Sequence, residues 1–146
     1  KKPEETAQAI DAEGWLHSGD MATMCEDETI RFLGRYKEML KVGGENVDPV
    51  EVEALLLQHP AVSQVKVVGV PDIRLQEAAC ACVILEPGAQ AEPEALIAFC
   101  HGKIASFKIP RYVLFMQEYP MTSSGKVQKF KLHEYSTEAL DLRCRP

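Results

Sequence analysis

Apolar and polar positions divide this chain into short segments of different period. Residues 1–13, KKPEETAQAIDAE, are polar with no apolar pattern and read as a connector or as the cut end of something larger. From Gly14 the runs GWLHSGDMATM and TIRFLGRY flank the acidic CEDE, the pattern of a hairpin or strand pair. The strongest helix signal is ENVDPVEVEALLLQHP. Asp48 can cap it, Pro49 suits the first helical position, Glu51 stands at capping-box spacing, and Val52, Leu55, Leu56 and His59 recur until Pro60 closes the run. AVSQVKVVGV and ACACVILE are β-rich segments on either side of PDIRLQE, and YVLFM is a third. Between the last two, EPEALIAFCHGKIA predicts a helix with Leu96, Phe99, Cys100 and Lys103 spaced around it, and KFKLHEYSTEAL predicts a final short one. The expected fold is α+β: a small, mostly antiparallel β-sheet flanked by helices and preceded by a strand pair or hairpin.

Composition narrows the class. A chain of 146 residues, 46% hydrophobic and 26% charged, fits one main soluble domain. No apolar stretch approaches the roughly 18 residues of a membrane span, and the opening residues lack the apolar segment of a signal peptide. The expected location is therefore cytoplasmic, or inside an organelle such as the mitochondrion. A net charge of −6 argues against a nucleic-acid binder. Cations do concentrate in HGKIASFKIPRY and SSGKVQKFK, which suits a small phosphorylated ligand better than a polyanion. Cys25, Cys80, Cys82, Cys100 and Cys144 form no Cys-x-x-Cys pair and are expected to be reduced, with Cys80 and Cys82 on one face of a strand. The four histidines share no recurring partner, and no metal site is expected.

Three stretches invite chemistry. In MTSSGKVQK, Lys126 follows small residues after a strand-like run, but a phosphate loop would need glycine at Pro120 and a hydroxyl at Val127. Taken alone, Lys126 is a solvated turn lysine. In GRYKEMLKVGGENV, the Gly43-Gly44 pair marks either a hairpin tip or a surface that a ligand approaches closely. In HSGD, Asp20 can bind a sugar diol or cap a turn.

Together, GWLHSGD, GRYKEMLKVGGENVDPVEVE, VVGVPD, FKIPRY and PMTSSGKVQK resemble, in order and spacing, the C-terminal part of the adenylate-forming superfamily. That superfamily includes acyl-CoA synthetases, firefly-type luciferases and peptide-synthetase adenylation domains. GGENVDPVEVE, CHGKIASFKIPRY and SGKVQKFKL are similar to the medium-chain fatty acyl-CoA synthetase branch. The resemblance implies a two-step ligase, in which a carboxylic acid and ATP give acyl-AMP and pyrophosphate and CoA then displaces AMP. It implies that Lys126 reaches the carboxylate and α-phosphate oxygens, that Asp20 binds the AMP ribose hydroxyls, and that Arg35 lies near ribose and phosphate. It makes Lys37 the hinge, and it lets Gly43 and Gly44 admit the pantetheine arm. Arg74, Lys103, Lys108 and Arg111 become candidate partners for the CoA phosphates, with Lys108 the favoured one. ATP, AMP and CoA are the implied substrates, with Mg2+ expected beside ATP in the full-length enzyme but not held by this chain.

The same resemblance implies a missing large N-terminal domain as the chief partner. Residues 1–33 would belong to it, residues 34–38 to the hinge, 39–133 to a lid domain and 134–146 to a tail. Such a piece should be inactive alone. The alternatives are an aryl-CoA ligase or peptide-synthetase fragment, or a binding module that has lost catalysis. Glu28 stands where relatives commonly have a turn glycine, and Ile73 and Gln76 stand where they often have Asp and Gly. The acyl pocket lies outside the chain, so acyl length is not legible.

Overall fold

The structure, a computed structural model, describes residues 2–142. It divides into two compact units with the boundary between Glu38 and Met39. Cys144 and the end of the expected tail lie outside the described residues.

In the first unit, α1 (Pro3–Ala9) occupies the stretch expected to be a connector. Its signals are local rather than periodic: Pro3 sits in the first turn, where its missing N–H is no loss, and Glu4 and Glu5 face the positive end of the helix. None of its residues is buried, so no apolar stripe announced it. β1 (Asp20–Met24) and β2 (Ile30–Arg35) pair antiparallel as the expected hairpin, with Asp20 opposite Arg35. A single 3₁₀ turn, Tyr36–Glu38, ends the unit.

The second unit holds a five-stranded sheet. β3 (Leu40–Val42) and β4 (Glu45–Val47) form a hairpin whose two-residue turn is Gly43-Gly44, with φ of 60° and 90°. Positive φ at both central positions is what a tight hairpin turn matched to strand twist requires, and glycine takes it without a Cβ clash. In α2 (Pro49–Leu56) the cap forms as expected, Asp48 Oδ1 accepting from the Val50 N–H at 2.9 Å. Glu51, however, turns its carboxylate to the Lys108 ammonium, at 2.6 and 2.8 Å, instead of back toward the cap. α2 stops before His59, which lies edge-on to Phe99 with ring centroids 5.0 Å apart.

β5 (Val62–Asp72) and β6 (Gln76–Leu85) make the long antiparallel centre, and β7 (Tyr112–Phe115) adds to β6 in parallel. α3 (Pro93–Cys100) ends earlier than its sequence pattern suggests: His101 turns extended at ψ 133°, and Gly102 follows with φ 73°. Lys103 therefore follows the helix and lies over the Phe99 ring at 3.1 Å. α4 is Lys129–Ala139. The period-two alternation of β5 and β6 sorts the core into two layers. Val65, Val67, Ala79, Ala81 and Val83 meet residues of α2 and α3, including Leu56 and Leu96, on one face; Val68, Val70, Cys80 and Cys82 meet Tyr119 and Leu132 on the other. Cys80 and Cys82 thus share a face and are fully buried, and Cys25, Cys80, Cys82 and Cys100 are free thiols. The Cys82 thiol beside it, together with burial, pushes the Cys80 thiol well up, which keeps it protonated. The fold is α+β, with an open sheet antiparallel except at β7.

Both departures at turn-glycine positions carry a conformational cost. Glu28 has φ 63° and Gln76 has φ 67°, the left-handed region where a Cβ crowds the following carbonyl. Replacing either by glycine should raise stability by about 0.5–1 kcal/mol, the strain relieved minus glycine's greater loss of chain entropy. The change should show as a higher urea midpoint at unchanged slope; a lower midpoint would mean that the side chain contributes more than the strain removes.

Candidate functional site

In the first unit the site begins with the hairpin register. Because Asp20 opens β1 and Arg35 closes β2, the pairing places them opposite each other, and Arg35 Nε donates to Asp20 Oδ1 at 2.6 Å. Arg35 Nη2 also reaches the Ser18 carbonyl at 3.4 Å. The bond to Asp20 first, and its charge second, hold the Arg35 guanidinium still more firmly protonated. Both side chains are partly open to solvent, so the pair is an accessible polar surface rather than a buried structural tie. Beside it lies a groove of about 570 Å³ whose lining includes His17, Ser18, Gly19, Arg35, Lys37 and Glu38. The structure therefore gathers Asp20, Arg35 and Lys37 around one surface.

In the second unit, a groove of about 460 Å³ runs beside the glycine turn, lined in part by Val42, Gly43, Glu45, Leu75, Phe107 and Arg111. Gly43 donates its N–H to the Leu75 carbonyl at 2.9 Å, and a Cβ added at Gly43 would stand 3.0 Å from Leu75 Cδ2. The turn is thus glycine for two reasons, backbone sign and close packing against the groove wall. Of the candidate cations, only Arg111 lines this groove, and it is already paired to Asp72 at 2.6 Å. Lys108 is held by Glu51, and Lys103 by the Phe99 ring. The backbone N–H groups of Leu75 and Arg74, and then Arg111, hold the Asp72 carboxyl below its usual range. Phe107 and His101, which line the same groove, escaped sequence reasoning that looked only for cations; the aromatic next to Lys108 in SFKIPRY was the available signal.

Lys126 sits on a small exposed hairpin. Met121 and Val127 form an antiparallel bridge, the Thr122 N–H donates to the Lys126 carbonyl at 2.8 Å, and the Lys126 N–H donates to Thr122 Oγ1 at 3.0 Å. Thr122 and Ser124 hydroxyls lie 2.9 Å apart, and Gly125 supplies φ 78°. The small residues therefore build a tight, self-bonded turn whose backbone is fixed while the lysine side chain stays exposed. Gln128 Nε2 ties the base of the turn to the Met121 carbonyl at 3.0 Å. Among the described residues no three metal-ligating side chains converge.

The second unit is thus a helix-flanked α+β domain that presents a glycine turn and a lysine hairpin. The family model for the AMP-binding enzyme C-terminal domain matches residues 51–126, just over half of the chain, and the chain belongs to that family. Over 97% of its length it is 51% identical to a Bacillus subtilis (strain 168) protein provisionally named acyl-CoA synthetase YngI, covering 26% of that protein. Over the same share it is 46% identical to human medium-chain acyl-CoA ligase ACSF2, mitochondrial, covering 23% of it. Among solved structures, ATP-bound MatB from Rhodopseudomonas palustris aligns with a TM-score of 0.89 and 31% identity over 95% of this chain and 28% of that one. The chain thus spans about a quarter of the length of the curated relatives it matches. No helix among the described residues is long and apolar enough to cross a membrane.

Proposed function

We propose that residues 39–133 form the mobile lid of an AMP-forming acyl-CoA ligase, joined through residues 34–38 to a large N-terminal domain that includes residues 1–33 and supplies the phosphate loop and acyl pocket. The observation that carries the reading is the Lys126 hairpin: a rigid backbone, a free-standing ammonium and no burial in its own domain. In the first step a carboxylate oxygen attacks the α-phosphorus of ATP and the bond to pyrophosphate breaks. Negative charge gathers on the α-phosphate while two anions are forced together, and Lys126 offsets it where water is excluded. Asp20 accepts from the ribose hydroxyls, and Arg35, already oriented by Asp20, adds a cation near ribose and phosphate.

In the second step the CoA thiol attacks the acyl carbon, AMP leaves and the thiol proton is released. The groove beside the Gly43-Gly44 turn, lined by Gly43, takes the pantetheine arm, with Leu75 and Phe107 as its apolar wall. Arg111 reaches a CoA phosphate by exchanging Asp72, and Lys108 does so by exchanging Glu51; of the two, Arg111 lines the groove. Mg2+ is expected to enter with ATP in the full-length enzyme. Four thiols without disulfides suit a reducing intracellular compartment, cytoplasmic or mitochondrial.

The test is made on the full-length protein with ATP, CoA and carboxylic acids of graded length. Acid-dependent release of AMP and pyrophosphate with appearance of the CoA thioester is expected. Adenylation without any thioester, or acylation of a carrier protein only, would replace this reading with the peptide-synthetase one, and ADP release would overturn it altogether.

A further inference from the structure

We propose that Glu53 is a positioning residue for the Lys126 hairpin, acting through Lys129. The inference rests on the reading of Lys126 given above. Among the described residues Glu53 is the one buried charged residue, only 7% of its side chain exposed, although it lies in the middle of α2. β5 is an end strand of the sheet, with β6 as its one strand neighbour, so part of its backbone has no ladder partner. Glu53 Oε1 accepts the Val67 N–H of that strand at 3.0 Å, and Oε2 accepts Lys66 Nζ at 2.7 Å. The carboxylate therefore stands at the edge where the α2 face and the α4 face of the sheet meet.

From the α4 face comes Lys129, whose Nζ is 3.8 Å from Glu53 Oε1. Lys129 is the first residue of α4 and stands one residue past the turn that carries Lys126. The hairpin is self-bonded, so it behaves as a rigid finger whose aim is set by its two roots. One root runs back to Pro120, whose carbonyl accepts the Gln128 N–H at 2.8 Å, just after Tyr119, whose hydroxyl donates to the Cys82 carbonyl at 2.8 Å. The other root is Lys129 on Glu53. A carboxylate buried merely to fill space would be better replaced by an apolar residue, because desolvation outweighs the attraction unless several donors are satisfied. Here both donors come from β5 and the ammonium at the start of α4 stands within ion-pair distance, so the charge links the sheet edge to the base of the finger. A finger displaced by an ångström at its tip loses the near-attack geometry that adenylation needs, whereas the thioester step does not use Lys126.

The experiment uses the full-length ligase with Glu53→Gln and, separately, Lys129→Met, which keeps the bonds of Glu53 to Val67 and Lys66. Each half-reaction is measured alone, with the unfolding midpoint as a control. Expected for both variants is a fall in the rate of acyl-AMP formation of about tenfold or more, with KM for ATP little changed and thioester formation from supplied acyl-AMP preserved. The double variant should be no slower than the slower single one, since both remove the same link. If Lys126→Ala abolishes adenylation while Lys129→Met leaves it at the parental rate, positioning by Glu53 is wrong and the role of Lys126 stands. Equal loss of both half-reactions in Lys129→Met reduces Glu53 to fold maintenance. If Lys126→Ala itself adenylates normally, the inference falls together with the reading beneath it.

Discussion

Lys126→Ala in the full-length ligase should lower the rate of acyl-AMP formation by about 10²–10³-fold, the scale set by removing one preorganised charge-stabilising group. Thioester formation from supplied acyl-AMP and CoA should remain close to parental. The structure makes this a clean substitution. The Lys126 side chain is exposed, and the turn around it is held by backbone and by Thr122, not by the ammonium. Truncation removes no core contact, so the unfolding midpoint should hardly move. Any loss of rate is then a loss of chemistry. Separate quench-flow measurement of the two half-reactions checks it; a comparable fall in both would show that Lys126 serves the domain's integrity or CoA, not the α-phosphate.

Lys37→Pro should do the reverse, sparing adenylation and slowing thioester formation by about tenfold or more. Lys37 is the middle residue of the 3₁₀ turn Tyr36–Glu38, directly before the unit boundary at Glu38/Met39. A segment this short can connect two arrangements only by changing a few backbone angles. Proline fixes φ near −65° and removes the N–H, so it keeps a 3₁₀ turn and penalises a swing away from it. Because Lys37 also lines the groove beside Arg35, Lys37→Ala is the needed control for loss of its charge. Burst and steady-state rates with CoA read the outcome. Unchanged thioester synthesis in the proline variant would remove position 37 from the hinge, and equal loss in the alanine variant would make its role electrostatic.

How far the sequence was legible depended on the range of the forces involved. α2 was readable because its signals are local: Asp48 caps, Pro49 fits the first turn and the apolar residues fall on one face. The two-residue period of β6 likewise puts Cys80 and Cys82 on one face, which the core buries. α1 was missed because it is polar all round and buries nothing, so the period that marks a helix was absent. The ends of α2 and α3 were overdrawn at His59 and Lys103, since apolar spacing continued past the point where the backbone turned. For the site, the glycine pair and Lys126 stood out as oddities of composition, but their meaning came from motif order, not from their own chemistry.

By itself, then, the amino-acid order determined the alternation of the strands, the capped second helix, the free lysine on a small-residue turn and the family to which these belong. Those properties follow from side-chain period and backbone preference over a few residues. Tertiary structure alone decided which cations carboxylates hold: Glu51 took Lys108 and Asp72 took Arg111. It also brought Glu53 to the edge of β5 and to Lys129. Such pairings join residues far apart in the chain, and no local pattern encodes them, because a charge finds its partner only after the sheet and helices have brought distant segments within a few ångströms.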